Sequence, residues 1–261
     1  MNPNERPEPG LDGSLDPFGS GAGRRGEFSV DGSSVEAGGL ETAAGSDGAV
    51  EYSTGTTTVG LVAADGVVLA TDRRASLGGR FVSNKDVVKV EQVHPTAAIT
   101  IAGSVGAAQA YAKQLRVEAD LYENRRDRRM SMEALSSLAS GLLRGLPVSP
   151  LLGGVDPAAD GAGEPHLYQL DGAGGRIEES AFAATGSGMT VATGALEREY
   201  DTDTDIETAV PTAVDAVLAA SERDTASGNG VVVARVTGDG VETERRDGTG
   251  ALMNGANGGA R

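Results

Sequence analysis

The chain has 261 residues, a formal charge of −16 and no cysteine, which excludes disulfides, thiolate metal sites and a Cys nucleophile. Hydrophobic residues reach 39% but aromatics only 3%, so a sizeable core must be built from Val, Ala, Leu and Ile. The negative charge argues against nucleic acid or an anionic membrane as partner, and no run approaches the ~18 apolar residues of a spanning helix.

Residues 1–55 contain 12 Gly, ten acidic and three basic residues. Such a segment cannot offset its ordering entropy by burial, so disorder is expected until near Val50. The N-terminus lacks the basic start and apolar centre of a secretory signal, and a cytoplasmic location follows by default. An acidic, Ala- and Gly-rich chain with only Lys85, Lys89 and Lys113 against 19 arginines fits adaptation to high salt.

Folded structure is expected to begin at Gly55-Thr56-Thr57-Thr58-Val59-Gly60. Strands over 57–63 and 67–71 flank Ala64-Asp65-Gly66, a hairpin signal, and Asp72-Arg73-Arg74 follows directly. Gly78-Gly79 breaks the chain, a strand over 87–93 carries Lys89, and a short strand over 97–102 ends at Gly103. From Val105 the period changes. Ala108, Tyr111, Leu115, Glu118 and Tyr122 predict a helix to about Asn124, with Arg125 to Arg129 near its C-terminus, where the macrodipole favours cations. Ser131 can cap a second helix running through Leu142 and Leu143, with Pro147 and Pro150 to stop it.

Strands resume over 151–155 and 166–170 around a loop at 156–164, and Asp171-Gly172 begins another turn. A helix to about Glu199 follows Thr185-Gly186-Ser187-Gly188. Thr204-Asp205-Ile206-Glu207 reads as a capping box for a helix to about Arg223, which Pro211 should kink. Strands over 231–236 and 241–245 close the sheet, and residues from Gly248 read as a loose tail. The order fits an α+β fold of four layers, αββα, in which two stacked sheets carry a helical layer on each outer face.

Chemistry centres on Thr56. A Thr after Gly55, where a disordered leader meets a strand, fits a nucleophile that becomes chain-terminal on cleavage. Its freed α-amine, with an ordinary pKa of about 7.7–8, could then act as its base. His94, before Pro95, and His166, after Pro165, read as ordinary loop or strand-edge residues and leave no His for a triad or a zinc site. Lys89, flanked by valines, is either a strand Lys facing solvent or a buried charge beside Asp72 that lowers the hydroxyl's pKa. Asp224 falls at a helix C-terminus, where the dipole disfavours a carboxylate, so it is either a solvated terminus or held by partners.

The motifs TGTTTVG (54–60), ATDRR (70–74), TIAGSVG (100–106), GGVD (153–156), TGSG (185–188) and RDTASG (223–228) are each weak alone, but their order and spacing are specific. Together they resemble the precursor of an archaeal, haloarchaeal-type proteasome β subunit, an N-terminal-nucleophile hydrolase. The resemblance implies a leader of residues 1–55 removed by self-cleavage between Gly55 and Thr56, a catalytic domain over 56–247 and a tail over 248–261. It implies Thr56 as nucleophile, Asp72 beside the catalytic Lys89, and Gly103 as oxyanion donor. Ser187, Asp224 and Ser227 would surround the Thr amine. Lys85 is the less favoured lysine, because one residue is inserted near Gly78-Gly79. Ala75, Val87, Ile101 and Val105 would line the pocket for the residue before the cut, favouring apolar side chains.

The implied activity is a threonine-type endopeptidase made as a zymogen, with no metal or cofactor. The implied partners are other β subunits in a ring of seven, rings of α subunits, an unfolding ATPase and unfolded protein substrates. Competing readings are a non-catalytic ring subunit, the bacterial two-ring protease and a Thr-dependent amidohydrolase of the same superfamily. Intact Thr56, Asp72 and Lys89 argue against the first, and RDTASG against the second.

Overall fold

The computed structural model describes residues 53–156 and 163–251. Most of the expected leader (1–52), the loop residues 157–162 and the tail from 252 lie outside the described residues. The elements run β1 (Ser53–Thr54), β2 (Thr57–Ala63), β3 (Gly66–Asp72), β4 (Ala75–Leu77), β5 (Phe81–Asn84), β6 (Val90–His94), β7 (Ala97–Thr100) and β8 (Gly103–Ser104). Then come α1 (Val105–Arg126), α2 (Met132–Leu143), β9 (Leu151–Asp156), β10 (Glu164–Leu170), β11 (Arg176–Glu179) and β12 (Phe182–Gly186). The chain continues as α3 (Met189–Glu199), α4 (Ile206–Ser221), β13 (Val231–Thr237) and β14 (Gly240–Arg246).

Two five-stranded antiparallel sheets dominate, with strand orders β12-β2-β3-β13-β14 and β11-β10-β9-β7-β6. β3 shows why they stack. Its side chains alternate, so Val67 and Leu69 meet Leu151, Leu167 and Ala98 of the other sheet. Val68 and Ala70 face the opposite way, onto Val210, Val214 and Val217 of α4. On the other sheet Ile99 and Leu152 pack under Tyr111 and Leu115 of α1 and Leu135 of α2. Three apolar layers thus separate four layers of secondary structure, the αββα order expected. A strand buried on both faces reads as an unbroken apolar run, as GVVLAT does. Among the described residues, no helix is long and apolar enough to cross a membrane.

Several local expectations need correction. The strand expected over 87–93 begins at Val90, so Lys89 precedes it. Residues 85–89 instead run irregularly, tied by Val87 N–H to the Arg73 carbonyl (3.0 Å) and by Asp86 to the Arg73 guanidinium. The break at Gly78-Gly79 is the turn of a β4–β5 hairpin, with φ of 57° and 71°. α2 does run through Leu142 and Leu143, and it ends there, before Gly145 (φ 78°). The cap of α4 is Asp205, whose carboxylate accepts from Thr208 N–H at 2.9 Å, and not Thr204. Thr204 uses its carbonyl to accept from Ala64 N–H at 2.9 Å. Pro211 lies on the exposed face of α4, which continues through it. Of the two readings of His94, loop or strand edge, the second holds: it ends the edge strand β6, but it is buried and lies 2.7 Å from Glu123 Oε1 on α1.

Candidate active site

β2 and β3 lie side by side in antiparallel register, so the residues at the open end of the hairpin are neighbours. That end carries Thr57, with Thr56 directly before it, on one strand and Asp72 on the other. Thr56 is 1% exposed. Its Oγ1 donates to the Gly55 carbonyl at 2.7 Å and accepts from Lys89 Nζ at 3.0 Å. Lys89 Nζ also donates to Asp72 Oδ1 at 2.8 Å. The irregular entry to β6 turns this lysine inward, to 1% exposure, while Lys85 faces solvent.

Asp72 is surrounded by donors. Oδ1 also accepts from Thr57 N–H (3.0 Å), and Oδ2 accepts from Arg74 N–H and Gly228 N–H (2.9 Å each). Four donors use the full acceptor capacity of a carboxylate and leave no place for a carboxyl proton. Burial pushes the Asp72 carboxyl above its ordinary value, and the Lys89 charge opposes it. Burial likewise pushes Lys89 below its ordinary value, against the pull of Asp72. Each ion therefore depends on the other.

A second group meets the backbone of Thr56. The Thr56 N–H donates to Ser187 Oγ at 3.1 Å, and Ser187 Oγ donates to Asp224 Oδ2 at 2.5 Å. The same Oδ2 accepts from Ser227 Oγ at 2.6 Å. Since Ser227 has spent its proton there, its 2.7 Å contact with Thr57 Oγ1 must be a bond donated by Thr57. Ser227 thus touches Thr57 and reaches the Thr56 nitrogen only through Asp224 and Ser187. Neither the Thr57–Ser227 contact nor the Ser76 Oγ that accepts from Gly55 N–H (3.3 Å) had a signal in the sequence.

Gly103 opens β8 at φ 113°, and a Cβ there would strike the Pro147 carbonyl, so glycine is required for both reasons. It lines a cavity of about 290 Å³ with Gly55, Ala102, Pro147, Ser149, Gly186 and Ser187. The strand leading into the Gly55–Thr56 peptide occupies the edge of β8: β1 pairs with it antiparallel, Thr54 opposite Gly103. Ala75, Val87, Ile101 and Val105 lie outside this cavity. Ala75 starts β4, Val105 starts α1, and Ile101 is buried in the core beneath α1 and α2. Val87 and Val105 are half-buried. Among the described residues, no cluster of three or more His, Cys, Asp or Glu is placed to hold a metal.

The arrangement presents a hydroxyl between a cation and a peptide carbonyl, with a hydroxyl–carboxylate group on the nitrogen that cleavage of that peptide would free. A sequence profile of the family described as "Proteasome subunit" matches residues 52–236. The chain is 50% identical over 250 residues to a proteasome subunit beta of Halorhabdus utahensis, covering 95% of this chain and 97% of that one. It is 55% identical over 197 residues to proteasome subunit beta 2 of Haloarcula marismortui, covering 74% and 83%. With a proteasome subunit beta of Halomicrobium mukohataei it shares 55% over 199 residues, covering 75% and 81%. The four-layer sandwich is accordingly the N-terminal-nucleophile hydrolase fold, in a family that degrades proteins and assembles with other proteasome subunits. The chain belongs to the proteasome subunit family, among the β subunits of haloarchaea.

Proposed function

We propose that this chain is the precursor of a threonine endopeptidase that frees its own nucleophile. The observation that carries this is Thr56 Oγ1, held 2.7 Å from the Gly55 carbonyl oxygen and 3.0 Å from Lys89 Nζ. In the first reaction Oγ1 attacks the Gly55 carbonyl carbon. The C–N bond then breaks, the hydroxyl proton passes to the leaving nitrogen, and an ester joins Gly55 to Thr56 Oγ1. Water hydrolyses the ester, releasing a Gly55 carboxylate and leaving Thr56 with a free hydroxyl and α-amine.

The same geometry then serves substrates. The α-amine, oriented by Ser187 and Asp224, takes the Thr56 hydroxyl proton as Oγ1 attacks a peptide carbonyl. The departing amine takes that proton, and water with the α-amine as base hydrolyses the acyl-enzyme. Lys89 remains a fixed cation that favours the developing alkoxide, and the Gly103 N–H stabilises the tetrahedral oxyanion. A substrate whose carbonyl replaces that of Gly55 takes the edge of β8 that β1 occupies. The γ-methyl of Thr restricts χ1 and holds the hydroxyl in its attacking rotamer.

On this reading the protein works in the cytoplasm as one member of a ring of seven β subunits, flanked by α rings and supplied by an unfolding ATPase. It uses no metal or cofactor and cuts after apolar residues. The test is intact mass and N-terminal sequence of the purified protein beside Thr56→Ala. The wild type should begin at Thr56 and hydrolyse peptides, and the variant should keep its leader and do neither. Thr56→Ala still cut after Gly55 in isolation would assign the cut to another protease.

A further inference from the structure

Beneath the site lie three buried threonines that the mechanism does not use: Thr58 on β2, Thr100 on β7 and Thr185 on β12. Their hydroxyls are in contact, and the direction of every bond is fixed. Thr185 Oγ1 donates to the Ser149 carbonyl at 3.0 Å, which uses its only proton. The 2.7 Å contact between Thr58 and Thr185 is therefore a bond donated by Thr58. Thr100 Oγ1 in turn donates to Thr58 Oγ1 at 3.3 Å and accepts from Leu151 N–H at 2.9 Å. Each hydroxyl donates once and accepts once. The chain leaves the main chain at Leu151 and returns to it at Ser149, two residues earlier.

This loop crosses both sheets and joins the strands that carry the site. Thr58 is two residues from Thr56, Thr100 three before Gly103, and Thr185 two before Ser187. Ser149 lines the cavity shared by Gly103 and Ser187, and its N–H bonds the Ala102 carbonyl at 2.9 Å. Thr71 on β3 supplies a contrast, because its equally buried hydroxyl has no partner among the described residues.

We infer that Thr58, Thr100 and Thr185 are positioning residues, whose closed hydrogen-bond loop fixes the distance between nucleophile, oxyanion donor and Ser187. The inference rests on the threonine-endopeptidase reading of the same site. Opening the loop at any point leaves a buried donor or acceptor unmatched and lets the two sheet ends shift. Such a shift affects the reacting geometry more than the binding of peptide along β8.

The experiment compares kcat and KM for a fluorogenic peptide in full-length chains that have self-processed and assembled. Thr58→Val should lower kcat roughly tenfold with KM within about twofold, since small misplacements act on the chemical step. Thr58→Ser, which keeps the hydroxyl, should restore most of kcat. Thr58→Val with Thr100→Val should be no slower than the slower single variant, because a loop opened once is already open. Thr71→Val should leave kcat unchanged. A wild-type kcat in Thr58→Val, equal rates for Thr58→Val and Thr58→Ser, or losses that multiply in the double variant would each overturn the inference. If Thr58→Val does not assemble, Thr185→Val and Thr185→Ser give the same comparison. Failure of all Val variants of the loop to assemble also counts against it. A wild-type protein that neither self-cleaves nor hydrolyses peptide overturns the endopeptidase reading instead.

Discussion

Gly55 lies against Ala226: a methyl built on the Gly55 Cα would overlap the Ala226 Cβ and crowd Ser187 Oγ. The residue before the proposed cut therefore has no room for any side chain while the leader is attached. Gly55→Ala should leave most of the precursor uncut, because displacing the Gly55 carbonyl by ~1 Å can cost roughly a hundredfold in rate. Adding Ala226→Gly should restore processing, as followed by intact mass over time. A Gly55→Ala chain cut at the wild-type rate would show that the contact does not constrain the carbonyl.

Lys89 gives a pH prediction with a definite sign. As a fixed cation it acts only while protonated, so activity is lost as pH rises through its value. Burial has moved that value below the ordinary 10.5. The kcat/KM profile should have an acid limb from the α-amine, ordinarily about 7.7–8, and an alkaline limb below the usual lysine range. An alkaline limb at or above 10.5 would contradict this role.

Removing Lys89 should damage both activity and stability. Lys89→Met leaves the Asp72 carboxylate buried without its counter-ion, which costs about 3–5 kcal/mol. Peptide hydrolysis should fall by roughly 10²–10³. Lys85→Met, at an exposed position, should change neither kcat nor the denaturation midpoint.

Substrate preference should follow the apolar character of Ala75, Val87, Ile101 and Val105. Burying a Tyr or Leu side chain there favours binding by roughly 1.5–3 kcal/mol, whereas Arg or Asp meets a desolvation penalty. Fluorogenic peptides differing only at the residue before the cut should rank Tyr and Leu above Arg and Asp in kcat/KM. The reverse order would place the pocket elsewhere, which the membership of Ile101 in the helix-covered core makes a real test.

Away from the site, Glu123 on α1 ties that helix to β6 and to the α1–α2 connection by accepting from His94 Nε2 (2.7 Å) and Met130 N–H (2.8 Å). Burial opposes ionisation of Glu123, but these bonds outweigh it and hold the carboxyl below its ordinary 4.5. Its stabilising effect is thus present above pH 4.5 and lost as pH falls through the lower folded value. Glu123→Gln should be about 1 kcal/mol less stable than wild type at neutral pH. Denaturant midpoints measured down the pH scale should converge in acid.

Much of this was legible in the sequence, for local reasons. Asp65-Gly66 between β-branched runs marks the β2–β3 hairpin, and helical spacing marks α1. The hairpin places Thr56 near Asp72 before any other contact is known. What escaped was long-range. Thr58 and Thr185 are 127 residues apart, and a strand threonine looks the same whether its hydroxyl meets solvent or another strand. The valines around Lys89 mark a strand, yet it lies just before β6, where the irregular chain turns its side chain inward. His94 escaped because Pro95 marks a loop, whereas the partner that buries it sits on α1.

The pairing of β1 with β8 has a kinetic consequence. A strand tethered to the site it fills acts at an effective concentration in the millimolar range, which a free peptide must exceed to displace it. Substrate-like inhibitors should therefore slow the processed protein at low doses and scarcely touch the precursor. Their potency against a mixed preparation would then report the fraction of subunits that have shed their leader.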